Sequence, residues 1–124
     1  MTVCDGVIRA RFRESIWQSP QLITPGQVYE YNIELEGTAY VFEAGHRIRV
    51  LITSSSFPMW DRNPNTGNEQ GMDAELQVAE QTIYHDQDHP SHIILPIIPT
   101  NGPVVTPTLP LKVFLRHRSK SSYR

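Results

Sequence analysis

The chain has 124 residues, enough for one domain with a single hydrophobic core and too few for two. All 13 acidic residues lie before residue 89, and residues 1–99 carry only six Lys and Arg, a net charge of −7 that argues against nucleic-acid binding. A single cysteine excludes an internal disulfide, and the absence of a signal-peptide pattern or an apolar membrane-spanning run predicts a cytoplasmic protein with no membrane association.

Alternating apolar and polar residues predict a series of short β-strands. In chain order, they cover residues 6–13, 27–35, 38–42, 47–53, 77–84 and 92–96. The clearest is 27–35, in which every odd position from Tyr29 to Leu35 is apolar or aromatic. Ten prolines and seven glycines punctuate the chain, and most connections are too short for helical crossovers. The pattern therefore predicts an all-β fold with mostly antiparallel neighbours.

The segment RIRVLITSSSFPMWDRNPNTG, residues 47–67, combines a core strand with a specific loop. Ile48, Val50 and Ile52 alternate against Arg47, Arg49 and Thr53, which is typical of a strand with one buried face. A dense cluster of turn-forming residues follows and predicts a hydrogen-bonded loop. The candidate binding residues of this first loop are Trp60, Asp61, Arg62, Asn63 and Asn65.

A second loop is predicted at YHDQDHPSH, residues 84–92, where three histidines and two aspartates lie close together. Its candidate binding residues are His85, Asp86, His89 and His92. The spacing matches no standard zinc motif, and loop Asp and His side chains often bond to backbone amides instead. Neither a metal site nor a cofactor is predicted.

Catalysis by the chain itself has little support in the sequence. Ser54, Ser55 and Ser56 coexist with aspartates and histidines, but no Gly-x-Ser-x-Gly nucleophile elbow is present. We therefore predict no catalytic residue. A further interpretation is an aromatic platform for carbohydrate, although alternate aromatics on a strand more often pack in the core. That platform would use Trp17, Tyr29, Tyr31, Phe57 and Trp60.

The composition changes after residue 99. Three prolines lie between residues 103 and 110, and the last nine residues are basic and serine-rich. Such sequences resist packing, so residues 100–124 are predicted to form a disordered tail beyond a domain at 1–99.

Four segments together resemble a known family. They are DGVIRARFRES at 5–15, TPGQVYEYNIEL at 24–35, TAYVFEAGHRIRVLITSSSFPMWDRNPNTG at 38–67 and QTIYHDQDHPSHIILPIIP at 81–99. They are similar to the C-terminal domain of the X-Pro dipeptidyl-peptidase family, which includes cocaine esterase and α-amino-acid ester hydrolases. The resemblance implies a jelly-roll β-sandwich of the galactose-binding-like type. It also implies an α/β-hydrolase catalytic domain that precedes this module and holds the Ser, Asp and His of the triad.

Compared with the family pattern, the sequence is expected to lack the catalytic domain and the first jelly-roll strands and to continue past the last one. The resemblance thus implies an accessory module of a serine hydrolase that cleaves peptides or esters, inactive alone. The alternative is a free-standing carbohydrate- or peptide-binding module. An incomplete sandwich exposes strand edges, so the expected partners are an α/β-hydrolase catalytic domain or chain and a second copy in a homo-oligomer.

Overall fold

The computed structural model describes residues 1–69, 71–98 and 109–119. A short 3-10 helix covers Ala10–Phe12. The strands are β1 (Val28–Leu35), β2 (Ala79–Tyr84), β3 (His92–Ile93) and β4 (Leu109–Ser119). In the described ranges no helix has the length and apolar character needed to cross a membrane. The predicted all-β class is confirmed.

Strand β4 organises the sheet. It lies between β1 and β2, and β3 also pairs with it, so that each described neighbour of β4 is antiparallel. The register places Val113 opposite Tyr31 of β1, and Leu115 opposite Ile83 of β2. Successive side chains on a strand point to opposite faces, so the odd-numbered residues of β4 share the face that carries the core.

The core lies on this inner face of the sheet. Tyr31, Leu111 and Val113 are buried, with Val113 only 1% exposed. Ile8, Ala10 and Ile52 pack against them from segments outside the sheet. The second layer over the sheet is thus built from loops and one 3-10 turn rather than from paired strands, in the part of the chain that the structure describes.

The predicted strands have three outcomes. Those at 27–35 and 77–84 are confirmed as β1 and β2, and the one at 92–96 is reduced to the two residues of β3. Those at 6–13, 38–42 and 47–53 are wrong for this structure, which assigns them no strand. A strand is held by hydrogen bonds to a neighbour, and these three segments alternate in sequence without a neighbouring strand to pair with.

The predicted disordered tail is also corrected, because β4 lies within it and is the central strand. Leu111, Val113 and Leu115 alternate with Lys112, Phe114 and Arg116, and this pattern was outweighed in the prediction by the surrounding prolines. Pro110 is tolerated because it is the second residue of β4, and proline, which has no backbone N–H to donate, is found at strand ends. The remainder of the predicted tail, at 100–108 and 120–124, lies outside the described residues.

Candidate functional site

The first loop leaves the core after Ile52, which packs on the buried cluster. A cis Phe57–Pro58 peptide bond and a hydrogen bond from the Trp60 amide to the Ser56 carbonyl (3.1 Å) form its first turn. Trp60 remains 41% exposed and Phe57 66% exposed at the tip. The tip of the loop therefore presents aromatic surface to solvent.

Asparagines fix the second half of this loop. Asn65 has a positive φ of 59°, which asparagine tolerates better than most residues, and its Nδ2 donates to the Gln77 carbonyl at 3.0 Å. The Gln77 amide in turn donates to the Pro64 carbonyl at 2.9 Å. Asn63 Oδ1 accepts from the Asn65 amide at 3.2 Å. These bonds tie the loop to the chain just before β2.

Asp73 holds the end of the loop and was not predicted. Its carboxylate accepts from the Thr66 hydroxyl, from Asn68 Nδ2 (3.0 Å) and from the Glu75 amide (2.9 Å). The hydrogen bond from Thr66 is the main reason that the pKa of Asp73 lies below its ordinary value. The Asp-x-Glu spacing, which suits an aspartate that bonds the amide two residues on, was the available signal.

Asp61 forms an exposed ion pair, and Arg62 follows it on the same loop. Asp61 Oδ2 lies 3.8 Å from an Arg9 guanidinium nitrogen, and the two side chains are 78% and 47% exposed. An exposed pair of this kind stabilises a fold by at most about 1 kcal/mol. Arg62 is exposed on the same loop.

The second loop is organised by Asp86. Its Oδ1 accepts from the amides of His89 (2.8 Å) and Asp88 (3.1 Å), and also lies 3.2 Å from His89 Nδ1. The bond from the His89 amide is the largest cause of the lowered pKa of Asp86. His85 forms an isolated β-bridge with Pro90. The predicted role of loop Asp and His residues, ordering a turn, describes this geometry.

Ser91 joins the second loop to β4 and was missed. Its hydroxyl donates to the Tyr84 carbonyl and accepts from the Phe114 amide at 2.9 Å. His92 Nδ1 lies 2.6 Å from the Pro90 carbonyl, so this ring also bonds to backbone. Both the proton and a lone pair of Ser91 are therefore engaged by the backbone.

An aromatic cluster covers the outer face of the sheet beside this loop. The His89 ring lies 5.1 Å from that of Tyr84 and 5.6 Å from that of Phe114, and the Arg116 guanidinium lies 5.5 Å from the Tyr84 ring. Lys112 Nζ contacts Glu30 at 2.9 Å on the same face and is the first cause of the lowered pKa of Glu30.

The structure does not bring the two predicted loops together. The first is tied to Gln77 before β2 and the second follows Tyr84 at its end, so the length of β2, about 17 Å, separates them. The predicted aromatic platform is also dispersed, since Tyr31 is 5% exposed in the core while Trp17 is 89% exposed.

The chemistry available to these loops is limited. Among residues 1–69, 71–98 and 109–119, no three His, Cys, Asp or Glu side chains are grouped to hold a metal ion. The Asp86–His89 contact orients an imidazole, but Ser91, the nearest serine in sequence, is bonded to backbone at Tyr84 and Phe114. A nucleophile must instead present its hydroxyl to the base. The hydrogen bonds of Asp73, Asp86 and Ser91 order the backbone of the loops that carry them.

The fold defines an all-β domain, and the comparisons with known proteins identify its family. Residues 1–94 match the X-Pro dipeptidyl-peptidase C-terminal non-catalytic domain. Cocaine esterase from Rhodococcus sp. (strain MB1 Bresler) is 44% identical over 100 residues, which make up 79% of this chain and 17% of the esterase. No solved structure matches the chain. The chain belongs to the family of X-Pro dipeptidyl-peptidase C-terminal non-catalytic domains, as its motifs predicted.

Proposed function

We propose that this chain is the accessory domain of an X-Pro dipeptidyl-peptidase-like serine hydrolase that cleaves peptides or esters. It acts as a jelly-roll, galactose-binding-like sandwich that supports an α/β-hydrolase catalytic domain and contributes to contacts between subunits. The observation that carries the proposal is the match of residues 1–94 to a domain described as non-catalytic. Because the chain corresponds to 17% of the esterase, the catalytic part belongs to the remainder of such a protein.

The geometry of the loops favours a structural role over a catalytic one. Asp73 and Asp86 each accept hydrogen bonds from two or more neighbours, so they stabilise the loops that carry them. The first loop keeps aromatic side chains exposed on a backbone fixed by Asn65. A rigid loop with an exposed apolar tip is suited to packing against a neighbouring domain.

A chimera tests this proposal. The matching residues of the esterase are replaced by residues 1–94 of this chain, and ester hydrolysis and thermal inactivation are compared with those of an esterase that lacks the segment. We expect the chimera to retain activity and to outlast the deletion variant. Equal inactivation of the two would contradict the supporting role. In parallel, the purified chain should hydrolyse neither an aryl ester nor an X-Pro dipeptide, and turnover sensitive to a serine-directed inhibitor would overturn the proposal.

A second candidate is a free-standing carbohydrate- or peptide-binding module. It is favoured by the aromatic tip of the first loop, because the exposed Phe57 and Trp60 share this loop with the polar residues Asp61 and Asn63. Aromatic faces with adjacent polar groups are common in sugar and peptide recognition. Saturable binding of a glycan, abolished by Trp60→Ala, would favour this candidate over the accessory role.

A further inference from the structure

Every ladder between strands in the described ranges includes β4. β1 pairs along one edge of β4 over the whole length of β1, while β3 and then β2 pair along the other edge. Within those ranges, β1, β2 and β3 pair with no strand other than β4. The sheet therefore depends on β4 for all of the strand pairing that the structure describes.

The strand β4 lies outside the part of the chain that matches the family. The match covers residues 1–94, whereas β4 begins at Leu109. Because β1 and β2 are both antiparallel to β4, they run parallel to each other on either side of it. Paired strands are about 4.8 Å apart, so β1 and β2 are separated by about 10 Å, the width that one strand fills. We call this space the slot.

The buried side chains of the chain belong mainly to the strand in the slot. Four side chains are buried in the described ranges, and three of them, Leu111, Val113 and His117, lie on the inner face of β4. The fourth is Tyr31, which lies on β1 opposite Val113. When an extended peptide adds to a sheet, its alternate side chains fill pockets in this way. The slot is thus shaped around alternate residues of the strand that it holds.

Polar groups beside the slot bind the backbone of β4. The Gly26 amide donates to the His117 carbonyl at 2.8 Å, and the Ser91 hydroxyl accepts from the Phe114 amide at 2.9 Å. These bonds add to the two ladders with β1 and β2. Main-chain bonds do not depend on the side chains of the bound strand, so other extended peptides can form them.

The outer face of the slot favours basic residues. Lys112 Nζ lies 2.9 Å from a carboxylate oxygen of Glu30 on β1. The Arg116 guanidinium lies 5.5 Å from the centre of the Tyr84 ring on β2, in cation–π range. Both cations alternate with the apolar residues that face inward. The slot therefore suits a strand in which apolar residues alternate with basic ones.

We propose that the slot is a peptide-binding site for an extended antiparallel strand of this pattern, and that β4 is the ligand that the chain itself supplies. The bound molecule is a polypeptide, because pairing along both edges requires backbone amides and carbonyls at regular spacing. The binding mode is strand complementation, in which a strand from elsewhere completes a sheet. While β4 occupies the slot, it excludes any partner strand that has the same pattern.

Cleavage between β3 and β4 tests whether β4 behaves as a bound peptide. A protease recognition sequence is introduced within residues 99–108 of the full chain, and circular dichroism checks that the uncleaved variant keeps the β-structure of the parent. After cleavage, gel filtration shows whether β4 stays with the rest of the chain. A fluorescent peptide with the sequence of residues 109–119 is then added in excess to the cleaved and the uncleaved chain, and anisotropy measures its binding.

We expect β4 to remain associated after cleavage and the fluorescent peptide to replace it. The uncleaved chain should bind the peptide at least about tenfold more weakly, because its own β4 is tethered beside the slot at an effective concentration in the millimolar range. Release of β4 on cleavage would overturn the proposal. Equal binding by the two chains would also overturn it, since the peptide would then be bound outside the slot.

Two variant peptides test the orientation of the bound strand. Val113→Asn places an amide at the most buried position and should weaken binding by about a hundredfold. Arg116→Asn is the matched control, with the same new residue on the outer face, and should weaken binding by no more than about fivefold. Equal affinity of the two variants would contradict the proposal. These assays contain no catalytic domain, so their failure would leave the supporting role intact.

Discussion

Strand β1 and the segment 47–53 have nearly the same sequence pattern and different structures. In both, every second residue is apolar or aromatic, and most of the residues between them are polar. β1 pairs with β4 along its whole length, from Val28 opposite Arg116 to Leu35 opposite Leu109, whereas 47–53 pairs with no described strand. The alternation specifies which face of a segment turns inward, and a neighbouring strand is needed before the segment becomes a strand.

The same contrast holds for individual side chains. We call the unpaired segments 38–42 and 47–53 the open layer. Val113 on β4 is 1% exposed, whereas Val41 in the open layer is 81% exposed. Val113 is surrounded because its strand lies between β1 and β2, while Val41 has no paired strand beside it. The stability of the chain should therefore depend on the sheet and very little on the open layer.

The largest expected effect comes from placing a charge at these two valines. Val113→Asp buries an unpaired carboxylate and should lower the free energy of unfolding by about 3 kcal/mol or more, enough to unfold a small domain. Val41→Asp should change it by less than about 0.5 kcal/mol, because Val41 is largely exposed. Urea unfolding followed by circular dichroism measures both. Similar losses in the two variants would show that the open layer is packed as tightly as the sheet.

A smaller effect is expected where the second loop is joined to the sheet. Ser91→Ala leaves the Phe114 amide without its side-chain acceptor and the Tyr84 carbonyl without its donor. The free energy of unfolding should fall by about 1 to 3 kcal/mol. Ser55→Ala is the control, because Ser55 lies exposed in the first loop and should change stability by under about 0.5 kcal/mol. An unchanged urea midpoint for Ser91→Ala would show that these two hydrogen bonds do not contribute to stability.

The sequence correctly predicted β1 and β2, in which an alternating pattern occurs in a segment that pairs with a neighbouring strand. It did not allow β4 to be predicted, because the nearby prolines and the basic, serine-rich residues are typical of a disordered tail. The central position of β4 depends on pairing with strands that are distant in sequence. The strands predicted at 38–42 and 47–53 failed for the complementary reason. Their local pattern is strong, and pairing cannot be deduced from local pattern.

The loops show the same division. Asn63 and Asp86 were predictable because their side chains accept hydrogen bonds from backbone amides two or three residues further along the chain, as turn rules for Asn and Asp lead one to expect. Ser91 and Phe114 were missed because their hydrogen bond spans 23 residues and requires β4 to be in place. Single-sequence reasoning thus locates loop residues and cannot locate the strand that they contact.

The smallest expected effect is the dependence of stability on pH, in which the sheet and the loops should contribute in different pH ranges. His117 is on the inner face opposite Gln81, and burial lowers its pKa below the ordinary 6.5. The unfolded chain therefore takes up a proton first on acidification, and stability falls from pH 6.5 downward until the folded-state pKa is reached. Asp73 and Asp86 have lowered pKa values in the folded state, so their contribution is present above pH 3.8 and is lost below it.

Thermal unfolding measured across this pH range should therefore show two declines. His117→Gln should flatten the one that begins near pH 6.5 and leave the one below pH 3.8 in place, whereas Asp86→Asn should weaken only the second. An unaltered first decline in His117→Gln would mean that His117 is protonated in the folded chain as readily as in the unfolded one. The inner face would then be open to water at β4, and the contrast between a closed sheet and an open layer would no longer hold.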